Sequence, residues 1–356
     1  MSARWQNDLD RWLDNGVIDR VTADRIRAFE EKLAATKGLG WPVLIAMAFG
    51  GLLLGAGVLL FVAAHWDMLP PAARFALVLA LVAVFHIAAA FTAQHLAVLA
   101  TTFHAVGTIS LGAGIFLAGQ IFNLQEHWPG GLLLWAMGAW LGLALLRDWP
   151  QAALVALLTP AWLAGEWIEA TRRLIGFEKP MTEGLLLLSI TYLTARTPDN
   201  ESSIRKSLTW IGALGLFPLA AWVGIEPTSS YQTTSMPTPY WTLGWLIALC
   251  MPLIVAWYLR RQASKWNFLA ALWVVVLGTM GGSAVAAHSS LADFWRELGP
   301  YLMWSVGAVG LTAWGVHEAH KERINLGIAG FALTVVAFYF STVMDKLGRS
   351  ASLIGM

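Results

Sequence analysis

The chain has 356 residues and a single cysteine, Cys250, which lies inside an apolar run. No intrachain disulfide can form, and no thiolate cluster is available to hold a metal. Charge is scarce as well. Only 13% of residues are Asp, Glu, Lys or Arg, against about 25% in an ordinary soluble domain. No basic helix or stripe stands apart from the apolar segments, which excludes the electrostatic footprint of a nucleic-acid-binding protein. The first 40 residues carry both signs of charge and no apolar stretch of signal-peptide type, so the first long apolar segment is expected to act as an uncleaved anchor. A Walker loop, a dinucleotide fingerprint, a nucleophile elbow and a haem-attachment motif are all missing. No cofactor is expected, and no reaction is specified.

What the chain has in quantity is apolar residues, 57% of the total. They fall in blocks of roughly 20, the length that crosses a bilayer as helix. The expected fold is an all-α polytopic transmembrane bundle of about eleven spans. These run near 41–64, 72–94, 97–122, 131–147, 150–168, 181–196, 207–224, 241–259, 266–287, 300–317 and 323–341. The fifth and sixth are the weakest, because Pro160 and Glu166 interrupt one and Glu183 opens the other. Many of the 20 tryptophans, among them Trp41, Trp66, Trp128, Trp149, Trp167, Trp241 and Trp295, sit at the ends of apolar runs, as interfacial anchors do. Residues 1–40 read as a cytoplasmic helical hairpin. Trp5, Leu9, Trp12 and Leu13 share one face of its first helix, Asn15-Gly16 ends that helix, and Thr22 is the expected N-cap of a second helix carrying Ile26, Phe29 and Leu33. The expected organisation is this hairpin, a four-span unit over 41–147, and a further bundle over 148–356.

Basic residues set the orientation. With the N-terminus inside, 16 of the 23 Lys and Arg fall in cytoplasmic segments, seven of them within residues 1–40, and seven fall outside. That excess predicts N-in and C-out. Arg172, Arg173 and Lys179 dissent, and a nine-span variant, with the fifth and sixth segments lying at the cytoplasmic face, brings them inside without reversing anything downstream. The expected setting is a bacterial inner membrane. The partners expected are the lipid bilayer and a protein contacted through residues 1–38.

Two polar groupings stand out against the apolar background. The first is an outer rim: His65, Trp66 and Asp67 end the first span, while Gln120, Asn123, Glu126 and His127 follow the third. Imidazole and carboxylate together suit acid–base work or zinc, but no fixed ligand spacing supports a metal. Interfacial anchoring explains the same residues without a ligand. Glu166, Glu169 and Glu183 add carboxylates at that end. The second grouping is His86 and His104, each nine residues from His95 at the turn of a tight hairpin. Nine helical residues span about 13–14 Å, which sets both at matching depth. Small neighbours (Ala83, Ala89 and Ala90; Ala100, Gly107 and Thr108) favour burial, and a neutral interhelical hydrogen bond is the simplest way to satisfy them.

Several segments carry a resemblance. Asp14-Asn15-Gly16-Val17-Ile18, Leu60-Phe61-Val62-Ala63-Ala64-His65-Trp66-Asp67, Gly119-Gln120-Ile121-Phe122-Asn123 and Leu133-Leu134-Trp135-Ala136 resemble a bacterial family of uncharacterised multi-pass membrane proteins, a domain of unknown function. The likeness covers roughly residues 1–150. His65 stands where the family has asparagine, which argues against a fixed metal ligand there. The resemblance implies a membrane topology and draws attention to the rim, but it brings no activity.

The leading expectation is therefore a membrane protein that binds or moves a small polar solute, ion or lipid headgroup, with the first four spans as the key unit. A continuous polar cavity from Asp67 and Glu126 down to His86 and His104 would support it, and apolar packing between them would count against it. The competing expectations are a non-transporting accessory, sensor or assembly subunit, and a membrane enzyme acting on lipid or envelope substrates.

Overall fold

The computed structural model describes residues 9–36, 49, 53, 69–94, 96–121, 127–171, 178–197, 201–225, 238–280 and 290–343. The expected first span, His65, Trp66, Asp67, Asn123 and Glu126 lie outside these residues, apart from single positions within the span. The chain forms two compact units, residues 1–70 and 71–356. No strand element occurs among the described residues.

In the first unit a helical turn through residues 9–14 stops at Gly16, whose φ of +66° closes the turn, and α1 (Arg20–Thr36) follows. Its N-cap is Asp19 rather than Thr22: the Asp19 carboxylate accepts the Thr22 N–H at 3.0 Å. An acceptor three residues before a free N–H is the geometry a cap requires, so Thr22 becomes the donor. Leu9 and Ala23 are buried, and Arg27 bridges Asp10 at 2.8 Å. Phe29 is exposed, contrary to its expected place on the covered face. A two-helix hairpin has too little interior to cover every apolar side chain.

Among its described residues the second unit contains ten α-helices: α2 (Pro71–Thr92), α3 (Ala97–Ile121), α4 (Trp128–Leu146), α5 (Trp149–Thr171), α6 (Lys179–Leu193), α7 (Ser203–Ile225), α8 (Thr238–Arg260), α9 (Lys265–Met280), α10 (Ser290–His317) and α11 (Lys321–Phe338). A 3₁₀ turn at Arg261–Ser264 joins α8 to α9, and a π-turn at Tyr339–Val343 ends α11. The ends fall where local chemistry puts them. Pro129 and Pro180 occupy first turns, where a missing N–H costs nothing. Arg147 closes α4 in the left-handed region and donates its N–H to Leu143 O. The Asp148 carboxylate accepts the Gln151 N–H and so caps α5. One boundary differs from expectation by ten residues, since α10 begins at Ser290 and carries Pro300 in its interior rather than starting there.

Among the described residues, six helices are long and apolar enough to cross a membrane: α2, α3, α4, α7, α8 and α11. Helices α6 and α9 are shorter, at 15 and 16 residues, and α5 and α10 are more polar. Yet α6 is the most enclosed helix of the unit. Leu186, Leu187, Ile190 and Leu193 pack with Leu216 and Val223 of α7, Val274 and Leu277 of α9 and Trp314 of α10. On its other side Leu188 and Tyr192 pack with Ala156 and Leu208. The outward faces of the surrounding helices are rich in exposed Leu, Ile, Val, Phe and Trp.

Helices in lipid gain little hydrophobic energy from one another, so close packing and hydrogen bonds must hold them. Gly212 shows this directly. A Cβ there would fall 2.2 Å from Leu193 N and 2.4 Å from Ser189 O, so α7 lies against the α6 backbone, and Ser189 Oγ donates to Gly212 O at 2.7 Å. Gly310 is the opposite case, with nothing within 4 Å of an added Cβ. Gly212→Ala is expected to destabilise the protein by about 1–3 kcal/mol through overpacking. Gly310→Ala should be neutral or stabilising by up to ~1 kcal/mol through helix propensity. Thermal unfolding of the two variants in one detergent checks the contrast.

Candidate functional site

Hydrogen bonding among α2–α5 centres on the two histidines. His86 Nδ1 and His104 Nδ1 lie 2.9 Å apart, one donating and the other accepting, with ring centroids 5.2 Å apart. Gly107 makes room, since a Cβ there would meet His86 Nε2 at 2.8 Å. Around the pair, Gln151 Nε2 donates to Thr108 Oγ1 at 2.9 Å and to His104 O at 3.3 Å, and Trp135 Nε1 donates to Thr108 O at 2.9 Å. Gln151 is fully buried. Asp148 lies one turn below it, and burial raises its carboxyl above the usual aspartate range. His86 is six residues from the end of α2 and His104 seven from the start of α3, or roughly 9–11 Å from the turn. The pair therefore sits nearer the turn than the helix midpoints.

At the opposite end Gln120 is exposed and His127 turns towards α5. His127 Nε2 pairs with Glu166 Oε2 at 2.7 Å, Trp162 donates to Glu166 at 2.9 Å, and Trp128 donates to Glu169 at 3.2 Å. His127 and Glu166 are half exposed, so their pair contributes at most about 1 kcal/mol. Between this end and the histidines the α3–α4 interface is filled by aromatic packing. A Cβ on Gly112 would fall 2.1 Å from the Trp135 ring, Phe116 meets Trp135 edge-on at 6.4 Å, and Gly131 abuts Phe116. Trp135 and Phe116 thus lie along the α3–α4 interface between His127 and the histidine pair. Asp67 and Glu126 lie outside the described residues.

The largest concentration of buried charge lies elsewhere, where the α6–α7, α8–α9 and α10–α11 turns converge. The chain that leaves α6 at Thr194 and Ala195 is buried, and its carbonyls need donors. Arg260 Nη1 donates to Thr194 O at 2.8 Å, Arg323 Nη2 to Arg196 O at 2.7 Å, and Arg205 Nη1 to Ala195 O at 2.6 Å. The side chains of Arg260 and Arg323 are 0% and 2% exposed. Glu318 receives an ion pair from each of them, together with the Trp314 indole N–H at 2.6 Å. Both guanidinium groups also lie over the Trp314 ring, at 4.9 and 5.7 Å. Burial works to raise the Glu318 carboxyl, but Arg323, Trp314 and Arg260 outweigh it and hold it below the ordinary value. Burial and the nearby Arg323 push the His320 imidazole down.

Directly beyond Trp314 is a cavity of about 450 Å³ between α7, α9, α10 and α11, within the range of small-molecule sites. Trp266, Trp273, Trp304 and Trp314 line it, together with Gly310, beside which an added Cβ meets nothing within 4 Å, and with Gly307 and Gly330, which abut the Trp273 and Phe217 rings. Trp273 donates its N–H to Met303 O and Trp304 to Ala220 O, so with Trp314 three of the four indole N–H groups are already used. Their apolar ring surfaces remain for an occupant. A second, smaller cleft of about 380 Å³ lies between α5, α6 and α8.

Sequence reasoning paired His86 with His104 but missed Gln151, the arginine cluster and the cavity. The Asp148-Trp-Pro-Gln151 cap and the four-residue interval from Trp314 to Glu318 were the available signals.

An all-helical bundle with long apolar helices and an apolar exterior is a membrane protein. Within it, residues 10–152 match a family described as predicted membrane protein (DUF2157). No curated protein and no solved structure matches the chain. The matched segment contains the histidine pair and Gln151, while the arginine cluster and the Trp-lined cavity lie beyond it.

Two expectations follow from this geometry. Glu318→Gln leaves two buried guanidinium groups without their counter-charge and should cost about 3–5 kcal/mol, while Glu201→Gln, at an exposed pair, should cost less than ~1 kcal/mol. Because the Glu318 pKa is depressed on folding, its contribution is complete above the ordinary glutamate range and is lost as pH falls below it. Thermal melts across acid pH would show the wild type converging on the variant. Separately, His86→Leu or His104→Leu alone leaves a half-buried ring nitrogen without its partner and should cost about 1 kcal/mol. The double variant should lose less than the sum, with a coupling of about 1 kcal/mol in a double-mutant cycle.

Proposed function

We propose that this protein is a multi-pass component of a bacterial inner membrane that binds a lipid, taking an acyl chain into the tryptophan-lined cavity. The observation that carries this reading is an apolar cavity of about 450 Å³ with most of its indole N–H groups already bonded to protein. A polar solute would find almost nothing to bond in it, whereas a hydrocarbon chain would lie against rings and aliphatic groups. On α10 the lining runs from Trp304 to Trp314, ten residues or roughly 15 Å. That is about one leaflet of a 30 Å hydrocarbon core. Leu269, Val306 and Leu333 line the cavity and are also exposed on the outer surface, which gives a chain a lateral way in.

The proposed topology has eleven crossings with N-in and C-out. The charge excess in the sequence supports it, as does the gathering of Arg196, Arg205, Arg260 and Arg323 at one end of the second unit. The shielded position of α6 supports counting it as a crossing despite its length. The aromatic layer between α3 and α4 weighs against a solute path through the first spans.

The test uses protein in vesicles whose phospholipids carry brominated chains, which quench tryptophan in contact with them. Gly310→Phe fills the cavity from a position where an added side chain meets open space. The wild type is expected to show a component of quenching that Gly310→Phe lacks, while quenching of the lipid-facing tryptophans is the same in both. Identical quenching in the two proteins would refute the reading.

A further inference from the structure

We infer that the lipid taken up is anionic, drawn from the leaflet at the arginine-rich end, with its headgroup against Lys265 and His317. This rests on the lipid reading above and adds the identity of the headgroup. The first observation is the direction of the cavity. The lining residues Trp266, Trp314 and Leu326 lie within a turn or two of the α8–α9 and α10–α11 turns, so the cavity reaches that end of the bundle, where a lipid's headgroup meets water. A chain in it therefore presents its headgroup there.

The second observation is charge. The three turns that meet at that end, residues 196–206, 260–265 and 318–323, contain eight Lys and Arg against four Asp and Glu. Among the described carboxylates of these turns, Glu318 is taken up by Arg260 and Arg323, and Glu201 and Glu322 by Arg196. Lys265 and His317 are exposed and flank Trp266: one precedes it in sequence, and the other lies ring against ring at 5.5 Å. They frame the cavity end without being part of the buried network. A negatively charged headgroup at this point meets complementary charge, and a zwitterionic one meets its own ammonium group's repulsion. Buried Arg260 and Arg323, screened from solvent behind Trp314, add a fixed positive field to the same end.

The experiment measures the cavity component of quenching, defined as the part lost in Gly310→Phe, in vesicles doped with brominated phosphatidylglycerol or brominated phosphatidylcholine. The expected result is half-quenching at a lower mole fraction of phosphatidylglycerol, by about fivefold for each basic group that contacts the headgroup. Lys265→Gln with His317→Gln, both on exposed side chains, should erase most of that preference while leaving the maximum quenching intact. Equal half-points for the two lipids in the wild type would overturn the anionic assignment and leave the lipid reading standing. A preference that survives in the double variant would overturn the assignment to Lys265 and His317. Absence of any cavity component with either lipid would remove both readings.

Discussion

The second unit is organised around a helix that ends in the wrong place for water. The carbonyls at the C-terminus of α6 lie inside the bundle, and in a low-dielectric interior each one left without a donor costs several kcal/mol. Three arginines from α7, α8 and α11 supply the donors. Buried guanidinium groups need counter-charge in turn, and Glu318 provides it for two of them. Each requirement ties another helix to the same point, so the ends of α6, α8 and α10 and the starts of α7 and α11 are fixed relative to one another by polar bonds. Trp314 closes the arrangement: its N–H serves Glu318, its ring carries the two cations, and its edge forms the wall of the cavity.

The α2–α5 region is joined by a different kind of polar bond. Here the interior bonds are between neutral partners: imidazole to imidazole, Gln151 to Thr108, Trp135 to a backbone carbonyl. Neutral bonds need no counter-ion, so these helices are joined around the histidine pair without a charged hub. Small residues let the donors reach, as Gly107 does beneath His86 and Gly112 beneath Trp135. The family match coincides with this neutral half, and the hub lies outside it.

Much of the helical layout was legible in the sequence because apolar blocks and their breaks are local properties. Ends such as Arg147, Pro180 and Arg260 needed only their neighbours to be read. The histidine pair was legible for the same reason, since equal spacing about a tight turn brings two positions of adjacent helices together whatever surrounds them. The arginine hub was not, because it forms from three turns far apart in the chain. In the sequence those arginines look like ordinary loop charges of a membrane protein. Their burial follows from where α6 stops, and α6 itself, short and opened by a glutamate, reads as one of the two weakest segments. The cavity was invisible for a further reason: an unfilled volume leaves no mark except glycine and tryptophan at positions where many helices have both.

The enclosure of α6 also bears on how the chain enters its membrane. A segment of 15 residues with Glu183 in its first turns has too little apolar length to leave an insertion channel for lipid unaided. Its shelter is provided by α7, α8 and α9, and its carbonyl donors by residues as late as Arg323. On the proposed eleven-span topology, integration of α6 would be a delayed, collective event, completed only after more than a hundred further residues, as far as Arg323, have been synthesised.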